Sequence, residues 1–129
     1  MYELVNDVES YPHFLPWCAG ATVHDRSDTR VIATIDLAKG RLRQSFTTEN
    51  ALDPGRGIRI HLVRGPFRYL HGVWRFEALA DGGCLVSLEM EFDFASRLLA
   101  MTVGQVFSHL ASSLVDSFRA RAEICYGSS

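Results

Sequence analysis

The sequence predicts an α+β domain: a curved antiparallel sheet covered by one long C-terminal helix, with two short helices ahead of the sheet. Three observations predict it. Segments of strand-like alternation fill the middle of the chain at residues 21–26, 30–37, 41–50, 57–63, 69–79 and 84–94. The breaks between them are turn chemistry, such as Ser27-Asp28, Lys39-Gly40, Asp53-Pro54-Gly55, Gly65-Pro66 and Asp81-Gly82-Gly83. Connections this short favour hairpins, because a parallel crossover needs roughly a dozen residues or more. The period then changes. From about residue 97 to about residue 126, Leu99, Val103, Val106, Phe107, Leu110, Leu114, Phe118, Ala122 and Cys125 recur at steps of three and four. Gln105, His109, Ser112, Asp116, Arg119 and Glu123 take the other face. A helix of roughly 28 residues runs ~42 Å. A sheet with one helical cover has to curve around it, and that curvature can enclose an apolar pocket.

The chain opens with a short helix expected over residues 2–9, with Leu4, Val5 and Val8 on one side. Pro12 fits the first turn of a second short helix and Pro16 ends it. Phe14, Leu15 and Trp17 are too apolar for an ordinary loop and read as a plug at one end of the sheet or a patch for a partner. Alternation then assigns the strand faces. Leu42 and Phe46 oppose Arg41, Arg43 and Thr47, while Ile58, Ile60 and Leu62 oppose Arg59 and His61. Leu70, Gly72, Trp74 and Phe76 oppose His71, Arg75 and Glu77. Val86, Leu88, Met90, Phe92 and Phe94 oppose Ser87, Glu89, Glu91 and Asp93. One face is apolar and the other wet. The apolar face and the helix stripe must cover each other, and each large side chain buried there contributes ~1.5–3 kcal/mol.

Composition bounds the function. A chain of 129 residues suits one domain over residues 1–129. Apolar content of 47% and charged content of 22% are globular values. A net charge of −2 argues against DNA as a partner, since nonspecific binding needs a basic excess. No run of eighteen apolar residues exists that could span a membrane. The start, Met1-Tyr2-Glu3-Leu4, shows no secretory signal or transit peptide, so a cytoplasmic location is expected. Cys18, Cys84 and Cys125 are odd in number and far apart, which suits reduced thiols.

Catalytic patterns are weak. His24, His61 and His71 fall on the outward phase of their strands and His109 on the polar side of the helix. Neither HExxH, CxxC nor a paired-His spacing occurs, so no metal site is expected. Glu89, Glu91 and Asp93 read as a solvated strand face. Ser112 and Ser113 lack a nucleophile-elbow context, and Gly55-Arg56-Gly57 is a hairpin turn rather than a phosphate loop. Cys18 reads as a buried structural thiol. No acid–base pair stands out on the apolar face, so the chain is not expected to be an enzyme.

The run Leu4-Val5-Asn6-Asp7-Val8-Glu9-Ser10-Tyr11-Pro12-His13-Phe14-Leu15-Pro16-Trp17-Cys18 resembles the opening motif of the coenzyme Q-binding START-like family, which includes a bacterial ribosome association toxin type. Gly65-Pro66-Phe67-Arg68-Tyr69-Leu70-His71-Gly72-Val73-Trp74-Arg75-Phe76 resembles its second signature. Phe92-Asp93-Phe94 and residues 107–126 resemble its final strand and helix. The resemblance implies the helix-grip fold. Members of the family begin with a further strand, and this chain starts inside the first short helix. That first strand is therefore expected to be absent, leaving an open edge near Phe94 and self-association through it.

Two functional classes follow from the resemblance. The first is binding of a hydrophobic small molecule, an isoprenoid quinone such as ubiquinone, in support of respiratory electron transport, with no cofactor beyond that ligand and a place at the membrane periphery. The pocket is expected between helix and sheet, bordered by Trp74, Phe76, Phe92, Val103, Phe107 and Leu110, with Phe46 and Leu114 beside them. Pro16 and Trp17 cap it, and Gly72 and Gly104 leave space in it. The second class is a factor that binds the large ribosomal subunit and blocks subunit association, with outward Arg41, Arg43, Arg59 and Arg75 as its surface. The related polyketide cyclases add a third, cyclase-like alternative.

Overall fold

Six antiparallel strands follow one another as a meander, and one helix lies across their inward face. The computed structural model describes residues 2–39, 42–80 and 82–126, without the side chains of Leu42, Val103, Cys125 and Tyr126. Arg41 lies outside the described residues, as do Gly40 and Asp81 of two expected turns. The strands are β1 Cys18–Arg26, β2 Arg30–Lys39, β3 Leu42–Asp53, β4 Gly57–Arg64, β5 Phe67–Ala78 and β6 Cys84–Phe94. Their spatial order is their chain order, so β1 and β6 are the two edges. The register puts Ile60, Gly72 and Met90 in one row across β4, β5 and β6, and Ile58, Trp74 and Leu88 in the next. This is the helix-grip arrangement the sequence predicts.

Several boundaries move outward. β1 begins at Cys18 rather than residue 21, and β3 continues to Asp53 because Ala51 and Leu52 pair with Arg59 and Ile58. β5 begins at Phe67, which pairs with Phe94 and is buried. Register shifts at Val23/Asp25, Thr47/Thr48 and Phe67/Tyr69 bend the strands. Gly65 turns the β4–β5 hairpin at φ +155°, where an added Cβ would lie 2.6 Å from the Phe46 Cβ. Thr47 faces outward as expected, yet it is only 4% exposed. Its hydroxyl lies 2.6 Å from that of Thr34, which lies 2.7 Å from His24 Nε2.

The N-terminal helices divide differently from the expectation. α1 covers only Tyr2–Asn6, and a 3₁₀ helix covers Val8–His13 with Pro12 inside it. The break falls at Asp7. Ser10 donates its backbone N–H to the Asp7 carbonyl and its hydroxyl to the Asp7 carboxylate at 2.6 Å, which closes the tighter turn early. Pro12 supplies no N–H to this helix, whose end is closed by the Phe14 and Leu15 N–H groups donating to the Tyr11 carbonyl. Leu15 is fully buried, and the segment from Phe14 to Trp17 is the plug of the two readings.

α2 covers Arg97–Tyr126, as the periodicity predicts, and Ser96 Oγ caps it by accepting from Leu99 N–H at 3.1 Å. Phe107, Leu110 and Phe118 are its buried residues, and Leu99, Val106, Leu114 and Ala122 pack beside them. The convex face carries exposed ion pairs such as Arg30–Asp25, Arg75–Glu89 and Arg68–Asp93, each contributing little to stability. Phe118 is 1% exposed and touches three rings, from the 3₁₀ helix, the turn after it and β5. Phe118→Ala should cost ~3–5 kcal/mol, and Met101→Ala, at an exposed helix position, within ~0.5 kcal/mol. Urea titration of both variants checks this, and equal costs would contradict the core assignment.

Candidate functional site

Two aromatic groups fix α2 to the sheet at separate places. Near the start of the helix, Phe107 meets Phe92 at 4.8 Å and Phe67 at 4.9 Å, with Phe46 and Phe94 completing the group. Further along, Phe118 meets Tyr11 and Phe14 at 5.2 Å and Trp74 at 5.4 Å, while Phe76 stacks behind Trp74 and touches Tyr2. Ring pairs of this geometry contribute ~0.5–1.5 kcal/mol beyond their buried area. Between the two groups lies a cavity of about 90 Å³. Phe46 and Phe107 close one end, and Tyr11, Trp74 and Phe118 the other. Leu110, Ala111 and Leu114 form the roof, and Ala33 and Ile35 of β2 with Ile60, Leu70 and Met90 form the floor. The small side chains of Ala33 and Ala111 leave the space open.

None of the described residues lining the cavity is charged. Its polar atoms are few. The Tyr11 hydroxyl donates to the Val5 carbonyl. Burial pushes its pKa above the ordinary phenol range, with smaller contributions in the same direction from Cys18 and Asp7. Thr48 and Asn50 of β3 are buried in the wall and bonded to each other at 3.2 Å. Nearby, the buried Cys18 thiol donates to the Gly20 carbonyl at 3.3 Å. Burial raises its pKa, and that hydrogen bond partly offsets the rise. Among the described residues no three His, Cys, Asp or Glu side chains gather around a common ion position.

The structure brings together Trp17, Phe46, Trp74, Phe107, Leu110 and Leu114 on the cavity wall. Phe92 and Phe76 are the outer members of the two aromatic groups, so inner rings stand between them and the space. Gly72 lies just under the floor, where an added Cβ would be 3.8 Å from Ile60 Cδ1 and 3.7 Å from Met90 Cε. Gly104 faces Phe94 at 3.5 Å, inside the first aromatic group. Pro16 borders an outer groove with Trp17, Ala38 and His109. The Val103 side chain lies outside the described residues. Sequence reasoning missed Tyr11, Ala33, Thr48, Asn50 and Ala111. The alternation Phe46, Thr48, Asn50 was the available signal for two of them.

A family model described as polyketide cyclase / dehydrase and lipid transport matches residues 1–119. The chain belongs to this family. It is 45% identical over 127 residues to the ribosome association toxin RatA of Pseudomonas aeruginosa, covering 98% of this chain and 88% of that one. It is 26% identical over 131 residues to the mitochondrial coenzyme Q-binding protein COQ10 homolog B of Xenopus laevis, covering 98% of this chain and 54% of that one. A START superfamily protein from Mycobacterium smegmatis superposes with a TM-score of 0.75 at 17% identity, over 95% of this chain and 86% of that one. That structure shares the fold the chain adopts. No helix among the described residues is long and apolar enough to cross a membrane.

Tyr11 gives the site a pH signature. Its pKa is raised in the folded state, so above about pH 10 the unfolded chain gives up a proton that the native protein still holds. Stability therefore falls as pH rises through that range. Tyr11→Phe should lose ~0.5–1.5 kcal/mol near neutrality through the missing hydrogen bond. The gap to the parent protein should close above about pH 10. Urea midpoints of both proteins along that pH range check this, and a gap that stays constant would contradict it.

Proposed function

We propose that the domain binds a hydrophobic small molecule, an isoprenoid quinone, in the cavity beneath α2. The observation that carries this reading is an uncharged, mainly apolar space left open in the centre of a core that is otherwise closed by interlocked rings. Folding alone gains nothing from such a gap, because its lining atoms lose dispersion contacts. At about 90 Å³ it is smaller than an ordinary ligand pocket. A quinone head enters if the wall yields, and Met90 of β6 is where it yields most readily. Among the described residues β6 pairs with β5 alone, and its inward Leu88, Met90 and Phe92 are half-buried. The coenzyme Q-binding relative supports the choice of ligand. The family description also covers cyclases and dehydrases. The wall offers no carboxylate, imidazole or amine for proton transfer, which favours binding over turnover.

A second reading concerns the opposite surface, and the name of the Pseudomonas relative favours it. The convex groove over β3–β5 contains Arg56, Arg59 and Arg75. Among the described residues Arg56 and Arg59 have no carboxylate partner, which suits contact with ribosomal RNA phosphates on the large subunit. The two surfaces lie on opposite sides of one sheet, so the readings are compatible.

Organic extraction of the purified protein followed by mass spectrometry should release a quinone. Ala33→Leu, which fills the cavity, should abolish uptake while raising stability by ~0.5–2 kcal/mol. Gly72→Phe should abolish uptake as well, by driving a ring between Ile60 and Met90. Unchanged quinone affinity in both variants would place the ligand elsewhere. For the second reading, Arg56→Glu with Arg59→Glu should remove co-sedimentation with 50S subunits and leave quinone uptake intact.

A further inference from the structure

We propose that Asn50 is the specificity-determining residue of the cavity, and that its amide N–H groups select a neutral ligand bearing a carbonyl oxygen. The proposal rests on the cavity being the ligand site. β3 sends Phe46, Thr48 and Asn50 inward at alternate positions, so a carboxamide stands in the middle of an apolar wall. Asn50 is 8% exposed. The Thr48 hydroxyl donates to Asn50 Oδ1 at 3.2 Å. That bond commits the Thr48 proton and turns the amide oxygen toward Thr48. The two Asn50 N–H donors have no acceptor among the described residues. Among the described residues the sealed, unpartnered side-chain atoms are Asn6 Oδ1 and Arg121 Nε, and the Asn50 amide nitrogen is not among them. The residue is nine-tenths buried and lines the cavity, so we assign its free amide donors to that space.

The rest of the wall sharpens the selection. The Tyr11 proton is committed to the Val5 carbonyl. Trp17 and Trp74, also on the wall, carry no acceptor of their own. The wall is thus without charge, and the Asn50 amide supplies free donors to it. A carbonyl oxygen on an apolar body meets those donors. A carboxylate finds no cation there, and an uncompensated buried charge is far costlier than an unpaired amide. A hydrocarbon of the same shape leaves the Asn50 donors dry, which is the asymmetry that lets a polar site reject an analogue lacking the polar group.

The test uses the full chain and follows the fluorescence of Trp17 and Trp74, its two tryptophans, both on the wall. Decylubiquinone is titrated directly, and decylbenzene and decanoate are titrated as competitors. Asn50→Leu should bind decylubiquinone about tenfold more weakly and decylbenzene at least as tightly as the parent. Asn50→Asp, of nearly the same size with acceptors in place of donors, should lose decylubiquinone by at least as much. A parallel loss for quinone and hydrocarbon in both variants would assign Asn50 a merely structural role and overturn the proposal. So would unchanged quinone affinity, or decanoate binding the parent as tightly as the quinone. If the parent binds neither quinone nor decylbenzene, the cavity reading itself fails and the selection by Asn50 falls with it.

Discussion

One helix has to cover the inward face of six strands, and aromatic side chains decide where it touches. Phe107 and Phe118 stand eleven positions apart on α2, a span of ~16 Å along the axis. Each is the centre of its own ring cluster: the first draws on β3, β6 and the start of β5, the second on the later part of β5 and the N-terminal segment. The N-terminal plug belongs to the second cluster through Tyr11 and Phe14, so the entry of the chain and the exit of the helix are fixed by the same contacts. Between the two supports the helix presents Ala111, and β2 presents Ala33. A cavity arises there because the supports hold helix and sheet at a separation that the small side chains do not fill.

That arrangement separates two kinds of chemistry. The inward side holds an uncharged space, and the outward side holds charge. Outward arginines on the β5–β6 side are largely matched by carboxylates, with Arg75 on Glu89 and Arg68 on Asp93. Over β3–β5 the groove also holds Arg56 and Arg59, which form no ion pair among the described residues, with Asp53 and Glu77 on the same lining. A sheet only one residue thick carries both surfaces, because alternation sends neighbours in sequence to opposite sides. Ile58 is buried inside while Arg59 is exposed outside.

The fold was legible because its signals are periodic. The step from alternation to a three-and-four repeat marks α2 to within a residue at each end, and turn residues mark the hairpins. Strand ends were harder. Ala51, Leu52 and Asp53 show no hydrophobic alternation of their own and extend β3 only because β4 offers partners. The break at Asp7 depends on a side-chain bond across three residues, which propensity does not specify. The site was legible in part. Large aromatic residues pointed to Phe46, Trp74 and Phe107, but size alone does not tell a ring that borders a space from one that stands behind it, as Phe76 and Phe92 do. The residues that make the space are small, and the one that gives it polarity is an asparagine whose burial depends on distant packing.

The sheet is harder on one side than on the other. On β2 the inward Val31, Ala33, Ile35 and Leu37 are all buried, and the strand has neighbours on both sides. On β6 the inward residues are only half-buried, and among the described residues one neighbour holds the strand. A change of side-chain volume at β2 is felt by a close-packed core, whereas at β6 part of the strain relaxes into solvent. The domain therefore divides its tolerance of mutation. Ala33 and Ile35 of the cavity wall are bound to the survival of the fold, whereas Met90, the β6 residue on that wall, is freer to drift in sequence, so the shape of the space can change at one strand without first losing the protein.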